Sequence, residues 1–178
     1  GVATTPTTEL ITERTEAVGG IVVTASHNPI QWNALKFLDH RGIFITRDVS
    51  ERLLAAYKES KFEFADGGHT GKRRRYDNAA EEHIEAILGL DAIDVEKIRS
   101  RRFTVVLDCI NGAGSVIAPE LLERLGAHVI PLNCEGDGNF YRDPEPTPAN
   151  LGDLVEAVKK ADADLGFATD PDADVSRS

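Results

Sequence analysis

The stretch Asp170-Pro171-Asp172-Ala173-Asp174 sets three carboxylates on alternate positions directly behind Leu165-Gly166-Phe167-Ala168, which reads as a strand. In extended backbone alternate side chains share a face, so the three acids can converge. Crowded carboxylates repel unless a cation neutralises them, and hard oxygen ligands suit Mg²⁺ or Ca²⁺. An EF-hand loop fits poorly: Val175 stands where that loop needs glycine, and a strand precedes where it needs a helix. A solvated acidic turn is the competing reading.

A second candidate is Thr24-Ala25-Ser26-His27-Asn28-Pro29. Ser26 lacks the GxSxG setting of a hydrolase nucleophile, and adjacent side chains such as His27 often diverge. Ser26, His27 and Asn28 nevertheless gather several donors on one short loop, and Lys36 follows. That combination suits a phosphoryl group, while a turn or helix-capping serine is the ordinary alternative. A third candidate, Asp108-Cys109-Ile110-Asn111-Gly112-Ala113-Gly114, sits where a dinucleotide fold carries its phosphate loop. The match is partial, because the third glycine of GxGxxG falls on Ile117. Glu135 could stand in for the ribose-binding acid. Tight packing of a strand-to-helix turn is the preferred explanation of the glycines.

These loops need elements to position them. Ile21-Val22-Val23 reads as a buried strand, and Ala34 to Leu38 with Ile43 to Ile45 reads as a hairpin across Arg41-Gly42. Asp48 is placed to cap a helix running to about Ser60, with Leu53, Leu54 and Tyr57 on one face. Residues 66–71 break regular structure, and Lys72 to Arg75 reads as a basic, solvated linker. Ala79 to Leu90 has helical spacing in Ile84, Ile87 and Leu88. Then come a strand at Phe103–Leu107, a helix at Val116–Leu125 stopped by Gly126, a strand at Val129–Leu132, a loop from Asn133 to Asn150, a helix at Leu151–Lys160 and a strand at Asp164–Ala168. Alternating strands and helices predict a parallel sheet covered by helices. The predicted class is α/β, with mixed and parallel sheets sandwiched by helices. The domain boundary falls within about 67–76, giving units at 1–70 and 76–178.

The 178 residues suffice for one ordinary domain or two small ones. A hydrophobic content of 41% and a charged content of 28% fit a soluble globular protein. No apolar run approaches the roughly 18 residues of a membrane span. A net charge of −10 argues against a nucleic-acid partner, which calls for a basic face. Cys109 and Cys134 are the two cysteines and form no paired motif, so a reducing, cytoplasmic setting is expected. The absence of methionine and the abrupt ends suggest a piece of a longer protein.

Taken together, TASHNP, IQWNALKF, DPDAD, LDCINGAGSVIAPELLERLG and LNCEGDGNFYRDPEPTPANL resemble the α-D-phosphohexomutase family over nearly the whole chain. The resemblance implies two consecutive domains of a four-domain phosphohexomutase. Ser26 matches the serine that carries a phosphoryl group at rest, and His27 a phosphate-contacting residue. Thr24, Ala25 and Asn28 belong to the same loop. Lys36 matches the residue that moves a proton near the sugar hydroxyl. Asp170, Asp172 and Asp174 match three Mg²⁺ ligands, with a phosphoserine oxygen at Ser26 completing the shell. The implied reaction interconverts hexose 1- and 6-phosphates through a bisphosphorylated sugar. Phosphoglucosamine mutase is favoured over phosphomannomutase or phosphoglucomutase. A non-catalytic nucleotide- or metal-binding module, built on the Gly112–Gly114 turn, is the alternative from a different class.

Charge counting leaves a demand. Three carboxylates and a phosphoserine of about −1.5 to −2 exceed one divalent cation. The family motif has arginine after its third aspartate, where this chain has Val175, and Arg177 lies two positions further on. The parts of the family fold that read the sugar and its distal phosphate do not match any segment of this chain.

Overall fold

A computed structural model describes residues 1–29 and 31–178. The chain is α/β, as expected. Its first half carries helix α1 (Thr5–Arg14), strand β1 (Gly19–Thr24), strand β2 (Ala34–Asp39) and helix α2 (Arg47–Lys58). Its second half carries helices α3 (Ala79–Leu88) and α4 (Val95–Arg101), strand β3 (Thr104–Asp108), helix α5 (Ala118–Arg124), strand β4 (His128–Leu132), helix α6 (Gly152–Ala161), strand β5 (Leu165–Thr169) and the short strand β6 (Ser176–Arg177). Between the halves, residues 61–78 form no helix or strand and are exposed throughout.

The second half is built on a four-stranded sheet in the order β4-β3-β5-β6. β3 runs parallel to both β4 and β5, with Val106 opposite Ile130 on one side and Gly166 on the other. Val105, Val106 and Leu107 are each at most 2% exposed, so β3 is covered on both faces. That burial explains its unbroken apolar run. Leu154 of α6 and Ala168 of β5 pack on Val106, and Ile84 of α3 is fully buried. β6 turns back antiparallel on β5, pairing Arg177 with Ala168.

The first half is sparser. β1 and β2 form a two-stranded antiparallel sheet in which Val22 faces Lys36. Only Val22 and Leu38 of this sheet are buried. The expected hairpin across Arg41-Gly42 reduces to a single bridge between Leu38 and Phe44. Gly42 makes that turn at φ +71°, where a Cβ would lie 2.1 Å from the Glu9 carbonyl oxygen. α2 starts two residues earlier than expected, with Thr46 as its cap residue and Asp48 in its first turn. Its Leu53, Leu54 and Tyr57 are all exposed.

Other boundaries moved for local reasons. The segment expected as one helix from Val116 begins as a 3₁₀ turn (Ala113–Val116), and α5 then starts anew with a proline in its first turn. Proline lacks the N–H that a continuous helix needs. The expected helix to Leu90 ends at Leu88. α1 has no counterpart in the sequence reading, because threonines rather than aliphatics face inward. Thr5, Thr7 and Thr12 are its buried residues, and the Thr4 hydroxyl caps it by accepting from the Thr7 N–H at 3.1 Å.

α1 also joins the halves, since Thr7 Oγ1 lies 2.9 Å from Nδ1 of His83 on α3. Burial, and then the charge of Arg14, hold His83 below its ordinary pKa of 6.5. A histidine whose folded pKa is depressed adds stability that is complete above the unfolded value and is lost as pH falls toward the folded one. Resistance of the wild type to urea should therefore fall as pH drops below about 6.5, and His83→Gln should flatten that slope. A second outcome concerns Gly112, where an added Cβ would meet the Pro171 carbonyl oxygen at 2.4 Å. Gly112→Ala should cost about 1–3 kcal/mol, read as a lower urea midpoint at unchanged denaturant slope.

Candidate functional site

Two loops far apart in the chain meet beside β2. The first follows β1. Its Ser26 adopts a left-handed φ of 50°, and its N–H donates to the Thr24 hydroxyl at 2.8 Å. Asn28 closes the loop by donating from both its backbone N–H and its side-chain amide to the Ala25 carbonyl, each at 3.0 Å. The result aims Ser26 Oγ at Asp170, to whose Oδ2 it donates at 3.3 Å. His27 is exposed, with Nδ1 3.5 Å from Ser26 Oγ.

The second loop follows β5. Asp170, Asp172 and Asp174 each present a carboxylate oxygen within 4.8 Å of the others. The alternation read from the sequence brings them together, although through a turn rather than extended strand. Ala173 takes φ +56°, its N–H donates to the Asp170 carbonyl at 3.2 Å, and Asp170 N–H donates to the Val175 carbonyl at 3.1 Å. Asp170 is fully buried and Asp172 nearly so.

Lys36 supplies the cation. From β2 its Nζ donates to Asp172 Oδ2 at 2.7 Å and Asp174 Oδ2 at 2.5 Å. The negative excess left by Val175 is thus partly met from β2. Val175 contributes backbone groups alone: its N–H donates to Asp170 Oδ1 at 3.0 Å and its carbonyl accepts from the Asp170 N–H at 3.1 Å. Arg177 borders a groove with Leu154 and Val158 beneath α6, and among the described residues it pairs with none of the three acids.

The electrostatics differ acid by acid. Burial, reinforced by Asp172 and Asp174, pushes Asp170 up to about 6, against the opposing Val175 N–H. Burial also works against the ionised form of Asp172. The hydrogen bonds from Lys36 and Thr5 outweigh it and lower that carboxyl below its usual range. For Lys36, burial favours the neutral amine, but the hydrogen bonds and charges of Asp172 and Asp174 win and raise it. Proton transfer by a lysine is best served by a lowered pKa, and the geometry gives the reverse because two anions clasp the ammonium.

Three contributors escaped the sequence reading. Thr5, fully buried at the start of α1, donates its hydroxyl to Asp172 Oδ2 at 2.7 Å and its N–H to the Asp172 carbonyl at 2.9 Å. Arg142 donates from Nε to Asp108 Oδ2 and from Nη2 to the Thr169 carbonyl, both at 2.7 Å, clamping the end of β5. Glu9 has its carboxyl raised by burial and then by the charge of Asp174. Their partners are distant in sequence, so spacing does not reveal them, even for Arg142 within the LNCEGDGNFYRDPEPTPANL segment.

The Gly112–Gly114 turn serves the same loop. Ala113 N–H donates to the Pro171 carbonyl at 2.7 Å, and Gly112 N–H to the Cys109 carbonyl at 2.8 Å. These amides are taken, so the turn grips the acidic loop instead of cradling a dinucleotide phosphate. Glu135 is exposed and meets Asn111 only through its backbone N–H. An open cleft of about 600 Å³ lies alongside, lined in part by Thr24, Ser26, Asn28, Trp32, Gly112 and Asp172.

Comparison with known proteins places this arrangement. The pattern described as "Phosphoglucomutase/phosphomannomutase, alpha/beta/alpha domain II" matches residues 81–176, and the corresponding domain I pattern matches residues 1–64. A curated "Phosphoglucomutase/phosphomannomutase" of Thermococcus kodakarensis is 39% identical over 175 residues, covering 98% of this chain and 38% of that protein. A "Probable phosphoglucosamine mutase" of Methanosphaera stadtmanae is 38% identical, again over 98% of this chain and 38% of that protein. The chain therefore spans about 38% of the length of these curated relatives. A solved phosphoglucomutase/phosphomannomutase family protein from Burkholderia thailandensis superposes with a TM-score of 0.74 at 27% identity, over 96% of this chain and 37% of that one. A crystal structure from Thermus thermophilus reaches a TM-score of 0.83 at 27% identity, over 99% of this chain and 39% of that one. With a family pattern across more than half its length and near two-fifths identity to curated relatives, the chain belongs to the phosphoglucomutase/phosphomannomutase family.

Proposed function

We propose that this chain is the phosphoserine and metal-binding part of a phosphohexomutase that moves a phosphoryl group between the 1- and 6-positions of a hexose phosphate. One observation carries the reading: Ser26 Oγ lies 3.3 Å from a carboxylate oxygen of Asp170, across 144 positions of sequence. A lone turn serine has no reason to meet a buried acid. A serine that carries phosphate beside a cation site does.

The residues present fit a hard divalent cation. Three carboxylate oxygens lie within 4.8 Å of one another, and Asp172 Oδ1 is buried without a hydrogen-bond partner in the structure. Such an orphaned oxygen is costly unless a cation takes it. Asp170, Asp172 and Asp174 would hold Mg²⁺, with an oxygen of phosphorylated Ser26. When bound, Mg²⁺ supplies charge withdrawal from the transferring phosphoryl group.

The chain's own residues divide the rest of the work. Phosphorylated Ser26 donates its phosphoryl group to a sugar hydroxyl, forming a hexose bisphosphate. The sugar's other phosphate then returns to Ser26. Thr24 and Asn28 fix the loop so that Ser26 Oγ keeps its aim. His27, exposed beside Ser26, is placed to contact the phosphate. Lys36 holds a proton while Asp172 and Asp174 clasp it. Withdrawn from them toward the sugar, it loses the partners that raise it and can exchange that proton with the hydroxyl. Phosphoglucosamine mutase is the preferred activity, in line with the names of relatives such as the Methanosphaera protein.

In the full-length protein, Ser26→Ala should lower mutase turnover by at least about 10³-fold, and intact mass should find one phosphate on the wild type and none on the variant. Full turnover by Ser26→Ala would remove the proposal. Assayed side by side, glucosamine phosphate should give a higher kcat/KM than mannose or glucose phosphate; the opposite order would reassign the sugar. Asp172→Asn should weaken Mg²⁺ binding, followed by calorimetry, by at least about tenfold. Equal affinity in both proteins would place the cation elsewhere.

A further inference from the structure

The pair Cys109 and Cys134 belongs to no part of the proposed reaction, yet its placement is specific. β3 and β4 run side by side, with Asp108 opposite Leu132. They stay in contact past their ends: Cys109 N–H donates to the Leu132 carbonyl at 3.3 Å and Asn111 N–H to the Asn133 carbonyl at 2.5 Å. Asn133 then turns left-handed at φ 52°, and Cys134 folds back over β3. Its Sγ lies 3.3 Å from both the Leu107 and the Leu132 carbonyl oxygens. Cys109 donates its own N–H to that same Leu132 carbonyl, so the two cysteines lie side by side where the adjacent strands end. Cys109 is wholly buried and Cys134 is half-buried.

We infer that Cys109 and Cys134 are a peroxide-responsive thiol pair that closes to a disulfide, with Cys134 the attacking thiol and Cys109 the resolving one. Access sets the roles, since Cys134 is the thiol that solvent reaches. The neighbouring thiols shift each other in the same sense: Cys109 holds Cys134 below the ordinary thiol range against the effect of burial, while Cys134 and burial push Cys109 up. A partly exposed thiol with a stabilised thiolate, next to a second thiol, is the arrangement in which oxidation stops at a reversible disulfide.

The chemistry balances with a hydroperoxide as oxidant. The Cys134 thiolate attacks a peroxide oxygen, an S–O bond forms, the O–O bond breaks, and hydroxide leaves. Cys109 then attacks the Cys134 sulfur of the sulfenic acid. An S–S bond forms, the S–O bond breaks, and the departing hydroxyl takes the Cys109 proton as water. Two thiols lose two electrons, and hydrogen peroxide becomes two waters.

The test does not depend on the mutase reading. Wild-type protein is exposed to hydrogen peroxide, denatured, alkylated and mapped by mass spectrometry. The expected products are a chain lighter by two hydrogens and a Cys109–Cys134 linked peptide, both reversed by dithiothreitol. Cys109→Ser should stop at a Cys134 sulfenic acid that dimedone traps. Cys134→Ser should slow oxidation of Cys109 by at least tenfold. The inference is overturned if both wild-type cysteines stay fully alkylatable after peroxide, if the link joins two chains, or if Cys109 oxidises first. The wild-type mapping decides the question even where a serine variant does not fold.

Discussion

The structure turns on the meeting of one ammonium with two of three crowded carboxylates. Lys36 reaches Asp172 and Asp174 from a different sheet, 136 and 138 positions away in sequence. Without it, the buried acidic loop would carry unbalanced negative charge, and partly buried like charges repel strongly. With it, Asp172 and Asp174 are paired while Asp170, facing Ser26, keeps a raised pKa. The division has a chemical use. Asp172 stays ionised and ready to ligate, and the lysine is tied to the same site that its proton serves.

Holding that geometry takes a scaffold on both sides of the loop. Arg142 and Asp108 form a buried pair, with side chains 9% and 2% exposed, whose second fork fixes the Thr169 carbonyl just ahead of Asp170. A buried pair of this kind is costly to break, because the remaining charge is left unpaired. On the opposite side, Ala113 holds Pro171 and Thr5 holds Asp172 by both backbone and hydroxyl. The loop between Asp170 and Asp174 is therefore gripped from three elements, which is what precise placement of ligands requires.

Much of this was legible in the residues. The β3-α5-β4-α6-β5 alternation follows from apolar periodicity and from turn signals such as Gly126, and the convergence of Asp170, Asp172 and Asp174 follows from their spacing. What stayed hidden has physical causes. α1 buries threonines, whose hydroxyls satisfy carbonyls one turn back, as Thr12 does to Thr8 at 2.7 Å. Periodicity of aliphatic residues cannot reveal such a helix. Thr5 and Arg142 act through long-range contacts that no local pattern encodes. The direction of the Lys36 shift depended on knowing that two anions, not an apolar wall, would surround it.

The division of burial between the halves has a consequence for the site. A two-stranded sheet is marginal by itself, and β1–β2 leaves Ile21, Val23 and Leu35 more than half exposed. β3, by contrast, is buried on both faces. The Ser26 loop hangs on the weaker sheet and the acidic loop on the stronger one. Their alignment cannot come from β1–β2 alone. It comes from the bonds that cross between halves: Lys36 to Asp172 and Asp174, Ser26 to Asp170, Thr5 to Asp172 and Thr7 to His83. All of these links except Thr7 to His83 end on the candidate metal ligands. The site is thus part of what fixes the two halves together, and a change in charge at the carboxylates is felt as a change in how firmly Ser26 is held against them.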